Sequence, residues 1–264
     1  MDTHDPLIAA CGVDFFHHKD APILTDVSLG IAAGDTIALL GANGSGKSTL
    51  FRLLAGVWQP TAGHIELRGS PYRYTRAGRD AVRRSVQLVL QEPDDQIFAI
   101  SVQADVAYGP TNQGLDKAEI RARTTRAMID AEITDLADNV PHQLSYGQRK
   151  RVALAGALAM QPAVLLLDEP TAGLDPAGGR QLKKTLQRLS SGGTAVVVST
   201  HDVNLAWEVS TRAAVIVDGR LMLGPTGDIL TDTELLRRAR LEVPWAPFVS
   251  QAVGKTITTP QDLL

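Results

Sequence analysis

The segment Gly41-Ala42-Asn43-Gly44-Ser45-Gly46-Lys47-Ser48 follows the spacing G-x-x-x-x-G-K-[ST]. That spacing suits one task, holding a chain of phosphates. Glycines let backbone N–H groups converge on phosphate oxygens with no Cβ in the way. The N-terminus of a following helix adds unpaired donors and the positive end of its dipole. Lys47 places a point charge against the β- and γ-phosphates, and Ser48 offers a hydroxyl to Mg²⁺. The candidate nucleotide contacts are Asn43, Gly44, Ser45, Gly46, Lys47, Ser48 and Thr49. The flanks agree: apolar Thr36–Leu40 reads as a strand before the loop, and Leu50, Leu53 and Leu54 share one face of a helix after it, closed by Gly56. A glycine-rich turn capping a helix has the same composition but does not require this setting.

Further polar groups stand at the ends of apolar runs. Val164–Leu167 leads into Asp168 and Glu169. In an open parallel sheet, ligands sit beyond the carboxyl ends of the strands. Asp168 then reaches the Mg²⁺ shell, and Glu169 can polarise an attacking water. Taken alone, Leu-Leu-Asp-Glu-Pro is equally a strand running into a capped turn; the phosphate loop at Gly41 decides for chemistry. Gln91 closes the run Val86–Leu90, and His201 follows Ala195–Thr200. Each emerges at the edge where the phosphates bind. A lone Gln or His there is usually structural, whereas four such ends at one nucleotide are rare.

A second phosphate contact is encoded at Leu144-Ser145-Tyr146-Gly147-Gln148, ahead of a helix over about Arg149–Ala159. Ser145 and Gln148 form a capping box, S-x-x-Q, which explains both without a ligand. Gly147 is different. A glycine in the first helical turn costs up to about 1 kcal/mol relative to alanine, and makes sense where a phosphate approaches the backbone.

The elements that must position these groups are legible in outline. Thr36–Leu40, Val86–Leu90, Val164–Leu167, Ala195–Ser199 and Ala213–Val217 read as buried parallel strands with helices between most of them. Gly12–Phe16, Val27–Ile31 and His64–Arg68 alternate between turn residues and suggest a small antiparallel sheet. The stretch from about 93 to 160 holds no convincing strand and reads as a helical subdomain. The fold class is α/β, a P-loop core with a mainly parallel sheet. Residues 1–220 read as one nucleotide-binding domain and 221–264 as a short C-terminal appendage. There, Thr231 and Glu234 suggest a capping box for a helix to about Arg240.

In this order and spacing the motifs resemble those of the ABC (ATP-binding cassette) ATPases, over almost the whole chain. Gly41–Ser48 resembles the Walker A motif, Val164–Glu169 Walker B, and Leu144–Gln148 the signature L-S-G-G-Q, with Tyr146 in place of its first glycine. Ala172-Gly173-Leu174-Asp175 resembles the D-loop, Gln91 the Q-loop glutamine and His201 the switch histidine. The resemblance implies ATP and Mg²⁺ as ligands, with Glu169, His201 and Gln91 in catalysis and Ser48, Gln91 and Asp168 at the metal. It also implies two ATPase units head to tail, so that Ser145, Gly147 and Gln148 act on the nucleotide of the other unit. The complete motif set permits a homodimer. An adenine-stacking tyrosine of the family falls by spacing at His17, with Phe16 the adjacent candidate; His4 and His18 read as solvated.

Gln91–Phe98, Asp105–Pro110, Lys150–Gly156 and Ala239–Pro244 are similar to segments of the energy-coupling-factor (ECF) transporter ATPases, nearest to the cobalt type. That likeness implies uptake of cobalt or nickel ions, with vitamins as the alternative solute. It places the chain peripherally on the cytoplasmic face of the cell membrane, bound to integral membrane subunits. Apolar Ile97 and Phe98, beside Asp94 and Asp95, are candidates for that dock.

Composition narrows the field. The start Met1–Pro6 lacks the basic residues and apolar stretch of a signal peptide, and no run approaches the ~20 apolar residues of a membrane span. One cysteine, Cys11, excludes an internal disulfide and fits a reducing compartment. A net charge of −3 disfavours a nucleic-acid partner. A chromosome-maintenance ATPase would need a long coiled coil between the loop and the signature, and no sustained heptads occur there. A ribosome-acting relative normally carries two cassettes, and this chain has one.

Overall fold

Runs of Val, Leu, Ile and Ala too short for helices form the parallel strands of a six-stranded sheet. The computed structural model describes residues 5–16 and 22–263, so His17, like His4 and His18, lies outside the described residues. In chain order the elements are β1 (Ile8–Phe16), β2 (Pro22–Ile31), β3 (Thr36–Leu40), α1 (Lys47–Leu54), β4 (Ala62–Leu67), β5 (Ser70–Pro71), α2 (Arg76–Ser85) and β6 (Val86–Val89). The middle of the chain adds α3 (Val102–Asn112), α4 (Lys117–Asp130) and α5 (Tyr146–Ala159). Next come β7 (Val164–Asp168), α6 (Pro176–Ser191), β8 (Ala195–Thr200), α7 (Val203–Val209), β9 (Arg212–Val217) and β10 (Arg220–Pro225). The chain closes with α8 (Thr226–Thr231), α9 (Thr233–Arg238) and α10 (Trp245–Val253).

The central sheet has the order β10-β9-β3-β8-β7-β6, parallel except for β10. Both of its faces are buried, and side-chain alternation divides the core. Ile37 and Leu39 of β3 face α1 and the smaller sheet, while Ala38 and Leu40 face α7, α8 and α9. Leu166 points to the first of these cores, and Leu165 and Leu167 pack against the helical subdomain.

The second sheet, β2-β1-β4-β5, is antiparallel. Its core face does not follow strict alternation. In β1, Ile8 and Ala10 are buried, and so are Val13 and Phe15, one residue out of phase. The phase change falls at a bulge where Gly12 takes φ +55°. An extra residue in one strand resets which face each side chain meets. Gly63 of β4 sits opposite: a Cβ there would lie 2.1 Å from the Gly12 carbonyl oxygen, so the strands close tightly at the bulge.

Two expectations are corrected here. The central sheet extends past residue 220, where the sequence placed the start of the appendage, because β10 pairs with β9 over Arg220–Pro225. The cap near residue 231 is also different. Asp232, not Thr231, caps α9 by accepting from the Leu235 N–H at 2.9 Å. Thr231 instead ends α8 and donates its hydroxyl back to the Gly227 carbonyl at 2.7 Å. Asp232→Ala is expected to lower stability by about 1 kcal/mol, or about 2–4 °C in Tm, whereas Thr231→Ala stays within about 0.5 kcal/mol. Thermal melts of both variants, followed by circular dichroism, check the assignment; an equal loss in the two would contradict it.

Candidate active site

The phosphate loop runs from the carboxyl end of β3 to the first turn of α1. Gly41 takes φ +150°, and a Cβ on it would meet Ser45 Oγ at 2.5 Å. Gly46 takes φ +107° under β2, where a Cβ would lie 3.0 Å from Leu24 Cδ2. Asn43 and Gly44 are exposed on the loop, Ser48 is half-buried on the first turn, and Thr49 is buried. The Lys47 ammonium folds back into the loop, donating to the Gly41 carbonyl at 2.8 Å and the Ala42 carbonyl at 3.4 Å. It lies 3.9 Å from Glu169 Oε1. Burial pushes its pKa down, while the Glu169 and Asp168 carboxylates hold it up. The loop fits a polyphosphate on its own terms: Ser45 Oγ is buried with no partner among the described residues, and the cation is held only by carbonyls and a carboxylate near the contact limit.

Strand order sets the rest. From β3 outward, β8, β7 and β6 bring His201, the Asp168–Glu169 pair and Gln91 to one sheet edge. Asp168 is in register with Ser199 of β8, whose hydroxyl donates to Asp168 Oδ1. Oδ2 accepts from no protein donor among the described residues. Glu169 is 8% exposed and takes φ +45°, a conformation that costs an ordinary residue about 1–2 kcal/mol. Backbone hydrogen bonds hold it there. Its N–H donates to the Ser199 carbonyl at 3.1 Å and hydroxyl at 3.3 Å, and its carbonyl accepts from the buried Lys150 ammonium at 2.8 Å and the Ala172 N–H at 3.2 Å. The result is a carboxylate aimed between two cations or donors: Lys47 on one side, and His201 Nδ1 3.1 Å from both oxygens on the other. Gln91 has an exposed side chain, and its carbonyl accepts from the Tyr146 hydroxyl at 3.3 Å. Ser48, Asp168 and Gln91 together offer oxygen donors only, the set that Mg²⁺ takes.

Ser145, Gly147 and Gln148 are held apart from this cluster. Ser145 caps α5 by accepting from the Gln148 N–H, and Gln148 Oε1 accepts from the Ser145 N–H at 2.9 Å, so the capping box is complete. The helix therefore starts at Tyr146, a turn earlier than its sequence pattern suggests. These residues line an open cleft with Leu174, Asp175 and Gly178 that includes no residue of the loop 41–49. Asn43 instead shares a cleft with His201, Asp202 and Asn204. Within one chain, then, Lys47, Asp168, Glu169 and His201 converge, while Ser145, Gly147 and Gln148 line a cleft without residues 41–49, next to the Q-loop that Tyr146 touches.

A family model described as ABC transporter matches residues 24–172. The chain belongs to the ABC transporter family. It is 44% identical to the cobalt import ATP-binding protein CbiO of Rhodobacter capsulatus, over 90% of this chain and 86% of that one. It is 40% identical to the energy-coupling factor transporter ATP-binding protein EcfA of Methanocaldococcus jannaschii, over 93% and 89%. Among solved structures, cbiO1 from Clostridium perfringens, part of the ABC transporter complex cbiONQ, matches with TM-score 0.79 and 35% identity over 95% of this chain and 100% of that one. A dimeric ATP-binding cassette in a post-hydrolysis state, bound to ADP and Pi, matches with TM-score 0.75 and 28% identity over 83% and 98%. Hydrolysis of ATP coupled to transport is the activity of this ABC subunit.

Three residues of this cassette go beyond the sequence reading. Ser199 orients Asp168, and its only signal is its place at the end of a buried strand. Lys150 fixes the Glu169 backbone; its signal in the sequence is a lysine in the first turns of α5, between Arg149 and Arg151 and just before the apolar run Val152–Ala155. Burial pushes its pKa down, and Glu92, Glu169 and Asp168 raise it. Tyr146 fills the position of the signature's first glycine. Its ring packs so closely on the D-loop that a Cβ on Gly173 would lie 2.5 Å from Tyr146 Cε1. Its hydroxyl reaches the Gln91 carbonyl, so one side chain joins the signature, the D-loop and the Q-loop.

Proposed function

We propose that this chain is the ATP-hydrolysing subunit of an ECF-type importer of cobalt or nickel ions. The observation that carries the chemistry is the buried Glu169 carboxylate, flanked by Lys47 and His201 at the mouth of the phosphate loop. The loop's N–H groups and the α1 N-terminus receive the phosphates. Lys47 exchanges the Gly41 and Ala42 carbonyls for phosphate oxygens. Glu169 accepts a proton from the attacking water, and His201 fixes the orientation of that carboxylate. Ser48, Asp168 and Gln91 would hold Mg²⁺, which supplies charge neutralisation at the phosphates. Phosphate and ADP leave, and the proton passes to solvent. By the family's spacing, adenine stacking falls to His17, which lies outside the described residues, with Phe16 as the adjacent candidate.

The working unit is a dimer of two such subunits, in which Ser145, Gly147 and Gln148 complete the partner's site. The separation of their cleft from the loop supports this, as does the dimeric state of a similar cassette. Among the described residues no helix is long and apolar enough to cross a membrane. Likeness to the ATP-binding subunits CbiO and EcfA supports a place on the cytoplasmic face, bound to integral membrane subunits. A net charge of −3 supports protein partners over a nucleic acid. The docking surface follows Gln91. Asp105 accepts from the Phe98 and Ala99 N–H groups at 2.9 and 2.8 Å and holds Phe98 outward. Phe98, Ile100 and Tyr108 are 58%, 86% and 50% exposed, an apolar patch that suits a short helix of a membrane partner. Ile97, also a candidate for the dock, is core at 3% exposure.

The solute assignment rests on likeness to CbiO and EcfA, since an ATPase of this kind does not touch its cargo. Uptake tests it. Cells lacking this chain are expected to accumulate less cobalt or nickel than cells carrying it, and cells carrying Lys47→Ala to resemble the deletion. Metals are counted by mass spectrometry and vitamins by labelled uptake. Unchanged metal with a collapse in vitamin uptake would move the subunit to a vitamin importer.

A further inference from the structure

On the outward face of the antiparallel sheet, three side chains of metal-ligating type meet. Cys11 of β1 is paired in register with His64 of β4, and Ala9 with Glu66. Ala10 and Ile65, one step away on each strand, are buried, so Cys11, His64 and Glu66 share the opposite face. The Cys11 Sγ, a ring nitrogen of His64 and a carboxylate oxygen of Glu66 all lie within 4.8 Å of one another. Among the described residues this is the one such group of three.

We propose that Cys11, His64 and Glu66 form a binding site for one divalent transition-metal ion of the zinc, cobalt and nickel class. Ligand chemistry selects the class. Thiolate, imidazole and carboxylate together exclude Mg²⁺ and Ca²⁺, which take oxygen donors, and suit a borderline ion in tetrahedral coordination with water as the fourth ligand. Spacing agrees. Nitrogen and oxygen ligands at tetrahedral bond lengths of roughly 2.1 Å stand about 3.4 Å apart. His64 Nε2 and Glu66 Oε1 are already 3.1 Å apart. The sulfur lies within 4.8 Å of both, so it closes to tetrahedral spacing by a shift of at most about 1 Å, beside a half-exposed His64 ring.

The backbone also bears on the site. Cys11 sits immediately before the Gly12 bulge, where the missing Cβ of Gly63 lets β4 approach. Bulges commonly re-aim a side chain. Burial and the Glu66 charge push the Cys11 thiol pKa up. Cys11 is free of any disulfide. This site is independent of the transport reading, although the same class of ion is the proposed cargo.

The test uses the chain's single cysteine. Any thiolate-to-metal charge-transfer absorption must come from Cys11. Untagged, nucleotide-free protein is titrated with Co²⁺ and followed in the near-ultraviolet. The expected result is a thiolate band saturating at one equivalent and abolished by added Zn²⁺. Cys11→Ser should remove the band, and His64→Ala and Glu66→Gln should each weaken binding at least about tenfold. All three variants should keep basal ATPase activity, which reports that they fold. No thiolate band at any Co²⁺ concentration, or an unchanged affinity in both His64→Ala and Glu66→Gln, would overturn the proposal whether or not transport of metal is confirmed.

Discussion

Glu169→Gln protein is expected to bind ATP as the unmutated protein does and to lose about 10²–10⁴-fold in turnover. The substitution keeps the side chain's size in a position that is 8% exposed, and it leaves untouched the backbone bonds to Ser199 and Lys150 that hold the φ +45° conformation. The phosphate loop is unchanged, and one negative charge is removed 3.9 Å from Lys47, near where the phosphates must lie. Binding therefore has no reason to weaken. Proton acceptance does, because an amide oxygen is a far poorer base than a carboxylate. His201 cannot replace it from its exposed position, since its Nδ1 faces the same carboxylate. Lys47→Ala is the contrasting variant: it removes the charge facing the phosphates and should lose binding first. Labelled-nucleotide binding and phosphate release separate the two. Full turnover by Glu169→Gln would remove the carboxylate from the mechanism.

What could be read from the residues follows from how local each feature is. The strands β3, β7 and β8 are buried on both faces, so they appear as unbroken apolar runs. The strand β10 does not. It is an edge strand with no buried residue and a Gly-Pro end, so nothing in its sequence separates it from the appendage. Motif residues Lys47, Asp168, Glu169 and His201 were legible because each follows a readable strand. Ser199 and Lys150 were not, since their roles depend on strand register and on a helix packing over a residue 19 positions away. Asp232 was missed for a different reason: Thr231 offers the same capping chemistry one residue earlier, and only the geometry separates two adjacent acceptors.

The separation of the Ser145–Gln148 cleft from the phosphate loop leads to the other large effect, complementation between two inactive chains. Gly147 carries the argument. A Cβ there would meet nothing closer than Leu174 Cδ2 at 3.4 Å, and Gly147 is absent from the positive-φ positions. Nothing inside the chain requires a glycine, although a helix interior penalises one by about 1 kcal/mol. The requirement is met if a phosphate of another subunit approaches that backbone at the N-terminus of α5. Gly147→Asp then spares the fold but sets a carboxylate against that phosphate, and alone it should abolish activity, as should Lys47→Ala. In a mixed dimer, one composite site carries both lesions and the other carries neither. Random association makes about half of the dimers mixed, each with one intact site, so a one-to-one mixture should regain roughly a quarter of the unmutated activity. Phosphate release from the mixture and from each variant alone measures this directly. If Ser145 and Gly147 act only on the nucleotide of their own chain, mixing restores nothing beyond the average of the two variants, and the head-to-tail dimer is wrong.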